Sequence, residues 1–284
     1  MYKLIDGKKL AQEVLAQVQK EIIELSIEPQ LAVILVGEDP ASHLYVKLKR
    51  KACETAGIVF HLYSIDESES EQKILDTVAF LNKDADIDAI LIQLPLPKKF
   101  DQQHVIDAMD YRKDVDGFHQ KNLQSFLAGK KQHILPGLSL AIWTLIASTG
   151  AKNYLRKKTL IIGKSDVFTQ PTRKIFADKG MDEPVIVHPD DPRLTEITQT
   201  ADILVTAIGK PNSLTAPMIK EGAVIIDVGI SSVDGQTVGD VDFKNVAPKT
   251  SYITPVPGGV GPMTVAMLLY NTLQLAKERK RVRV

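Results

Sequence analysis

The sequence predicts an α/β protein built on parallel sheets and divided into two domains. Apolar runs rich in Val and Ile recur at 31–36, 89–94, 159–162, 184–187, 203–207 and 223–228. Runs of four to six such residues suit strands buried on both faces of a parallel sheet. Segments of helical period lie between them, and strand–helix alternation argues for α/β with right-handed crossovers. The 284 residues suffice for two domains of ordinary size, and 44% hydrophobic with 25% charged residues is a globular composition that excludes a disordered chain.

Along the chain, Leu10, Val14, Val18 and Ile22 recur every four residues and predict a helix that buries one stripe. The first long strand follows at 31–36, then a Gly37-Glu38-Asp39-Pro40 turn that should open a helix beyond the strand's carboxyl end, the side where open α/β sheets carry active sites. On that helix Tyr45 and Lys49 are spaced i, i+4 and share a face, which Ala52 and Ala56 roughly continue. A Lys partly desolvated beside a phenol would have a lowered pKa, useful for acid–base work. From spacing alone, a solvated basic helix face is the simpler reading.

The run at 89–94 carries Gln93 at its end, where a buried amide must find partners for its oxygen and both amino hydrogens. Pro95 and Pro97 hold the exit extended. Residues 110–137 hold no strong strand and several Gly and Pro breakers, so the domain boundary is placed there, at 120/121. Within that stretch Asp114 and Asp116 precede Gly117; a metal pair and a plain Asp-Gly turn both fit, and two carboxylates alone are weak evidence for metal. Glu221-Gly222 and the 233–236 segment read as turns. Three glycines and three prolines within 255–264 specify an unusual loop, with room for a flat ligand and with amides that could receive an anion or carbonyl. A last helix is expected over 262–279, with Pro262 in its first turn.

Lys plus Arg and Asp plus Glu each total 35, so the chain lacks the basic excess of a general nucleic-acid or anionic-membrane binder. The basic residues from Lys277 to Arg283 suit a helix C-terminus, where the macrodipole favours cations. One cysteine, Cys53, excludes an intrachain disulfide and a Cys-cluster metal site. With no apolar signal core and no membrane-length apolar run, the cytoplasm is the expected compartment.

Four blocks, taken in order, resemble the signatures of the bifunctional methylenetetrahydrofolate dehydrogenase/cyclohydrolase family: Tyr45-Val46-x-x-Lys49-x-Lys51-Ala52, Gln93-Leu94-Pro95-Leu96-Pro97, Asp114-Val115-Asp116-Gly117-Phe118-His119 and the 255–264 loop. Each is modest alone; four in register over essentially the whole chain are specific. The resemblance implies two α/β domains around a cleft, with a folate-binding catalytic domain at 1–120. It also implies a Rossmann-like nicotinamide domain at 121–261, and a final segment, 262–284, that packs back on the first. It implies an enzyme of one-carbon metabolism and purine biosynthesis that oxidises methylenetetrahydrofolate with NADP or NAD and hydrolyses the methenyl product. A homodimer is implied, with a folate as the small-molecule partner and neither metal, nucleic acid nor membrane.

By the same resemblance Lys49 assists proton transfer, Gln93 orients Lys49, Tyr45 lines the pterin and Asp116 accepts from the pterin's amino and ring N–H edge. Pro257, Gly258, Gly259 and Gly261 close over the folate, and Gly163, Lys164, Ser165, Gly209 and Ile230 contact the dinucleotide. A carboxylate does match a two-donor edge, and an aromatic a flat heterocycle.

The second half departs from the family pattern. Lys164 stands where the family has Arg, and Thr169 where it has a Gly, so a Cβ there is expected to hinder the approach to a pyrophosphate. After the next strand, His188-Pro189-Asp190-Asp191 replaces Cys-His-Ser followed by Arg or Lys; two acids are expected to repel a 2′-phosphate, and an Asp could accept from a ribose 2′-hydroxyl. Pro136-Gly137-Leu138-Ser139 replaces a Pro-Cys-Thr-Pro block, and a Gly expected soon after Asn122 is absent. The departures fit tolerated substitutions in a working NADP site as well as a drift towards NAD or a weaker NADP grip. They also fit a loss of hydride transfer that would leave a monofunctional cyclohydrolase or a non-catalytic folate-binding paralogue. A dinucleotide-dependent oxidoreductase acting on another substrate is a further alternative, which the departures make less attractive.

Overall fold

The computed structural model describes residues 2–130, 134–150 and 154–282, with side chains to 280. The elements run β1 (Lys3–Leu4), α1 (Gly7–Leu25), β2 (Gln30–Val36), α2 (Pro40–Ala56), β3 (Val59–Ile65), α3 (Glu71–Lys83), β4 (Ala89–Ile92), α4 (Gln102–Asp107), α5 (Gln120–Leu127) and α6 (Gly137–Ala147). There follow β5 (Thr159–Gly163), α7 (Asp166–Asp178), β6 (Val185–Val187), α8 (Leu194–Thr198), β7 (Ile203–Ala207) and β8 (Val224–Asp227). The chain ends with a hairpin of β9 (Ser231–Val233) and β10 (Gln236–Val238), then α9 (Phe243–Val246), β11 (Tyr252–Ile253) and α10 (Val260–Val282). All six apolar runs are strands. Residues 283–284 of the expected tail lie outside the described residues.

The chain forms two compact units, Gln12–Gly137 with Val265–Val284, and Met1–Ala11 with Leu138–Thr264. In the first, three parallel strands pair in the order β3-β2-β4. A parallel bridge from Ile90 to Asp114 extends that sheet by one short segment. Strand period sorts the core: Leu31, Val33, Leu35, Ala89 and Leu91 face one cluster with Val18 of α1, Val46 of α2 and Leu269 of α10. Ala32, Ile34, Val36, Ile90 and Ile92 face the opposite cluster with Ile74 and Val78 of α3. Both sheet faces are therefore covered, which is why these strands read as continuous apolar runs.

In the second unit six parallel strands pair in the order β1-β11-β8-β7-β5-β6. The N-terminal residues join this sheet because Lys3 and Leu4 pair with Tyr252 and Ile253. The 233–236 turn closes the β9–β10 hairpin, with Asp234 at φ 50° and Gly235 at φ 75°, the twin positive φ values of a type I′ turn.

Four details differ from the sequence reading. β3 was not expected, because Val59–Ile65 carries His61, Tyr63 and Ser64 among its apolar residues and lies half-buried at a sheet edge. β4 stops at Ile92, although the Gln93 N–H still donates to the Ile34 carbonyl at 2.9 Å. β1 and β11, two residues each, carry too short a pattern to be noticed. α10 starts two residues earlier than expected, at Val260, which keeps Pro262 in the first turn, where its missing N–H costs no helical bond.

Candidate active site

Both sheets reverse their winding once. In the three-stranded unit β3 lies on one side of β2 and β4 on the other; in the six-stranded unit β6 and β7 flank β5 in the same way. The crevice at the carboxyl ends of the strands where winding reverses is the ligand position of open α/β sheets. The Tyr45–Lys49, Gln93, Gly163–Ser165 and Gly209 positions follow strands at these points, whereas the 255–264 loop follows β11, farther along the six-stranded sheet.

α2 leaves the carboxyl end of β2. Asp39 caps it, its Oδ2 accepting from the Ser42 N–H at 2.8 Å, and Pro40 occupies the first turn. Gly57, in the left-handed conformation at φ 80°, ends it. Tyr45 and Lys49 lie one turn apart and are half-buried. The next residue on that face at i+4 is Cys53, a buried free thiol, rather than Ala52, although Ala56 is buried as expected. Burial pushes the Cys53 thiol up to about 12, which makes it a packing group and not a nucleophile. Burial also raises the Tyr45 phenol, which stays neutral.

Gln93, 7% exposed just past β4, reaches across to α2. Its Nε2 donates to the Leu94 carbonyl at 2.8 Å, which turns Oε1 towards Lys49, and Lys49 Nζ donates to that oxygen at 2.8 Å. Desolvation holds the Lys49 amine below its ordinary pKa, against the opposing pull of the Asp116 carboxylate. Asp116 answers in kind: burial raises it to about 6, the Lys49 charge pulls it down, and Asp114 pushes it up. No hydrogen bond reaches the Asp116 carboxylate among the described residues, so its lone pairs are available.

Asp114 does a different task from Asp116. Its carboxylate accepts from the Gly117 N–H at 3.0 Å, the His119 N–H at 2.9 Å and Asn122 Nδ2 at 2.9 Å. Gly117, at φ 78°, completes the turn that only this bonding pattern and a missing Cβ allow. The Asp-Gly reading therefore accounts for Asp114, and no group of three or more His, Cys, Asp or Glu fit to hold a metal is found among the described residues.

At the second reversal, β5 ends at Gly163 and α7 begins at Asp166, with Lys164 and Ser165 exposed between them. Ser165 stands at the N-cap but makes no side-chain capping bond; the Phe168 N–H donates to the Ser165 carbonyl at 3.1 Å, which leaves the Asp166 and Val167 amides at the start of this 13-residue helix to face an anion. Gly209 follows β7 at φ 74° with open space where a Cβ would point. Ile230 follows β8 and is exposed.

The Pro- and Gly-rich loop lies in the six-stranded unit up to Thr264. Gly258 sits at φ 113°, and a Cβ on Gly259 would strike the Pro255 carbonyl and Thr254 Cβ at 2.7 Å. Backbone conformation thus already requires glycine at 258, and packing requires it at 259. Gly261 has open space around it and Pro257 is exposed, so these two present the loop's outward surface.

Residues 5–116 match the family model described as tetrahydrofolate dehydrogenase/cyclohydrolase, catalytic domain, and residues 136–280 match the model for the NAD(P)-binding domain of the same enzymes. The chain belongs to the tetrahydrofolate dehydrogenase/cyclohydrolase family. A bifunctional protein FolD from Campylobacter fetus is 46% identical over 285 residues, covering 98% of this chain and 99% of that protein. A crystal structure of the bifunctional FolD from Campylobacter jejuni superposes at a TM-score of 0.92 with 39% identity, covering 98% of this chain and all of the other. FolD from Trypanosoma brucei, in complex with NADP and an inhibitor, gives a TM-score of 0.92 at 30% identity, over 100% and 99% of the two chains.

Within this family member, one expectation about the departures needs correction. Thr169 is 1% exposed, and its Cγ2 lies 3.0 Å from where a Cβ on Gly163 would stand. Its side chain therefore fills the helix–strand interface instead of pointing outward, and the expected hindrance to a pyrophosphate is absent. The acids after β6 stand against cations: Lys164 Nζ lies 3.2 Å and Lys210 Nζ 3.7 Å from Asp190, and Arg193 Nε 3.6 Å from Asp191. The alternatives that depended on a ruined dinucleotide loop lose their footing.

Two buried acids that the sequence reading did not single out, Asp227 and Asp240, shape the loops of the second unit. Asp240 accepts from Thr206 Oγ1 at 3.1 Å and from the backbone N–H groups of Ile208, Gly209 and Lys210 at 2.6, 2.9 and 3.1 Å. Asp227 accepts from the N–H groups of Gly229, Asp240 and Val241. Burial raises Asp227 to about 6. These buried acids fix the loops after β7 and β8, which carry Gly209 and Ile230. A signal was present: both acids directly adjoin apolar strand residues or Gly, where an unpartnered charge is not tolerated.

Proposed function

We propose that this chain carries out both reactions of its family: oxidation of 5,10-methylenetetrahydrofolate to the 5,10-methenyl form, and hydrolysis of that product to 10-formyltetrahydrofolate. The observation that carries the reading is the 2.8 Å hydrogen bond from Lys49 Nζ to Gln93 Oε1, in a setting that lowers the amine's pKa beside a carboxylate raised to about 6. Simple binding has no need of a desolvated amine held at a fixed position; proton transfer has.

In the hydrolytic step water adds to the cationic methenyl carbon; one of its two protons reaches the ring nitrogen as the bond from that nitrogen to the carbon opens, and the other leaves to solvent as the formyl carbonyl forms. Lys49, eased towards its neutral form by desolvation, takes the first proton and returns it. Gln93 holds the amine in place, with its own amide fixed by the Leu94 carbonyl. Asp116 accepts from the pterin's amino and ring N–H groups, and Tyr45 offers a half-buried ring to its flat face. Pro257 and Gly261, with the backbone of Gly258 and Gly259, cover the folate.

For the dehydrogenase step the dinucleotide supplies the hydride acceptor. The residues that suit it are Gly163, Lys164 and Ser165 at the open N-terminus of α7, Gly209 with its vacant Cβ direction, and Ile230. We propose NADP as the preferred dinucleotide with NAD also accepted, a homodimer as the assembly, and the cytoplasm as the compartment. No helix among the described residues is long and apolar enough to cross a membrane.

The test is a pair of absorbance assays, nicotinamide reduction by methylenetetrahydrofolate with NADP and with NAD, alongside methenyltetrahydrofolate hydrolysis. Turnover in both assays is expected. Hydrolysis with no reduction of either dinucleotide would overturn the dehydrogenase half, and no hydrolysis would overturn the role of Lys49. Sedimentation at micromolar concentration tests the dimer.

A further inference from the structure

β5 and β6 pair in parallel register, Ile162 against Val187, so the residues that follow each strand leave the sheet side by side. In parallel dinucleotide-binding sheets the adenine ribose lies in this neighbourhood: an acid there accepts from a 2′-hydroxyl, and a cation there takes a 2′-phosphate. This chain places both kinds of group at the one spot. Asp190 Oδ2 is 3.2 Å from Lys164 Nζ, and Asp190 Oδ1 is 3.7 Å from Lys210 Nζ. His188 joins them, its Nδ1 3.7 Å from Asp190 Oδ2 and 3.2 Å from the Asp190 backbone N–H.

The side chains of Lys164, Asp190 and Lys210 are 51%, 54% and 63% exposed. Ion pairs so exposed are weak and exchange readily with other ions. The neighbouring acid is committed elsewhere: Asp191 Oδ1 accepts from the Arg193 N–H at 2.8 Å. Lys164 and Lys210 are thus bridged by one resident carboxylate, an arrangement of the size and charge geometry that a phosphate would also satisfy.

We infer that Asp190 sets the dinucleotide preference of this chain by acting as a built-in counter-ion on Lys164 and Lys210, the two cations that would otherwise take a 2′-phosphate. The inference rests on the dinucleotide reading proposed above and adds the residue that tunes it. With a 2′-hydroxyl, Asp190 stays in place and accepts from it. With a 2′-phosphate, the carboxylate must share the lysines or turn out to solvent, so each NADP bound displaces an existing ion pair. One negative charge thereby narrows the gap between the two dinucleotides in a site that two lysines alone would bias towards NADP.

The experiment is titration calorimetry of the full chain with NADP and, separately, NAD, at low and moderate salt, for the wild type, Asp190→Asn and Lys164→Ala. Asp190 is exposed and its amide is isosteric, so the Asn variant is expected to fold as the wild type does. NADP is expected to bind Asp190→Asn roughly tenfold more tightly, the effect of removing one nearby like charge. The gain should shrink as salt screens it. NAD affinity should hardly change, because the Asn oxygen still accepts from a hydroxyl. Lys164→Ala should weaken NADP and spare NAD. An unchanged NADP-to-NAD ratio in Asp190→Asn, or equal tightening of both, overturns the inference while leaving the dinucleotide reading intact. A wild type that binds neither overturns the dinucleotide reading itself, and the inference with it.

Discussion

Two regions of this molecule are built on the same device, a parallel sheet whose winding reverses once, and they use charge in opposite ways. At the β2/β4 reversal the charged groups are half-buried, and their proton affinities are moved towards neutrality: Lys49 down, and Asp116 up to about 6. At the β5/β7 reversal the cations are exposed and balanced by Asp190, while the buried acids Asp227 and Asp240 spend their lone pairs on backbone N–H groups. Lys49 keeps a single hydrogen bond, to Gln93, and Asp116 keeps none among the described residues, so both have bonding capacity left for a substrate. Burial with a full set of hydrogen bonds makes a group scaffolding, and exposure leaves a charge free to choose among ions.

The sharpest test of this contrast is Lys49→Ala. Hydrolysis should fall roughly 10²–10⁴-fold, the usual worth of a positioned acid or base. Folate affinity should stay nearly unchanged by equilibrium titration, and full residual hydrolysis would remove Lys49 from the chemistry. Asp240→Ala should follow, costing roughly 2–4 kcal/mol in denaturant unfolding because several buried donors lose their acceptor. It should weaken dinucleotide binding without altering methenyltetrahydrofolate hydrolysis; a drop in both would mean that the scaffolding role is not local.

Asp116→Asn separates recognition from stability. A carboxyl raised from 3.8 to about 6 contributes most favourably below pH 3.8, and that contribution is lost as pH rises through about 6. The Asn variant should therefore be more stable than the wild type at pH 7, by roughly 3 kcal/mol, with the difference vanishing below about pH 4. Its KM for folate should nevertheless rise, and should lose the increase that the wild type shows as pH falls through 6. Equal pH profiles for both proteins would mean that Asp116 does not titrate in this range. The smallest effect is expected of Thr169→Gly, about 1 kcal/mol lost from helix propensity and packing, with dinucleotide affinity unchanged. Tighter binding would restore the reading in which Thr169 obstructs the ligand.

Much of the fold was legible because strands covered on both faces must be continuously apolar, and all six such runs are strands. β3 was not legible, since an edge strand with half-buried positions tolerates His61, Tyr63 and Ser64. β1 was not, since its only reason to be a strand is β11, some 250 residues away in sequence. At the site, the i, i+4 spacing of Tyr45 and Lys49 and the position of Gln93 at a strand end marked them as candidates, but spacing alone favoured a solvated basic face, and their roles came from the resemblance. The departures in the second half were the hardest to weigh. A residue name does not say which way its Cβ points, and Thr169 points inward.

The sequence by itself determined the α/β class, the apolar strands, the turns at Gly117 and Gly235, and the residue types available for proton transfer, because these follow from local backbone preference and from period. Only the tertiary structure decided that Gln93 reaches Lys49 from 44 residues away, that Asp114 is scaffolding while Asp116 is open, and that Asp190 lies against two lysines from different loops. Proton affinity and ion pairing depend on distance and desolvation. Both are set by which strands lie side by side, a property no single stretch of chain contains.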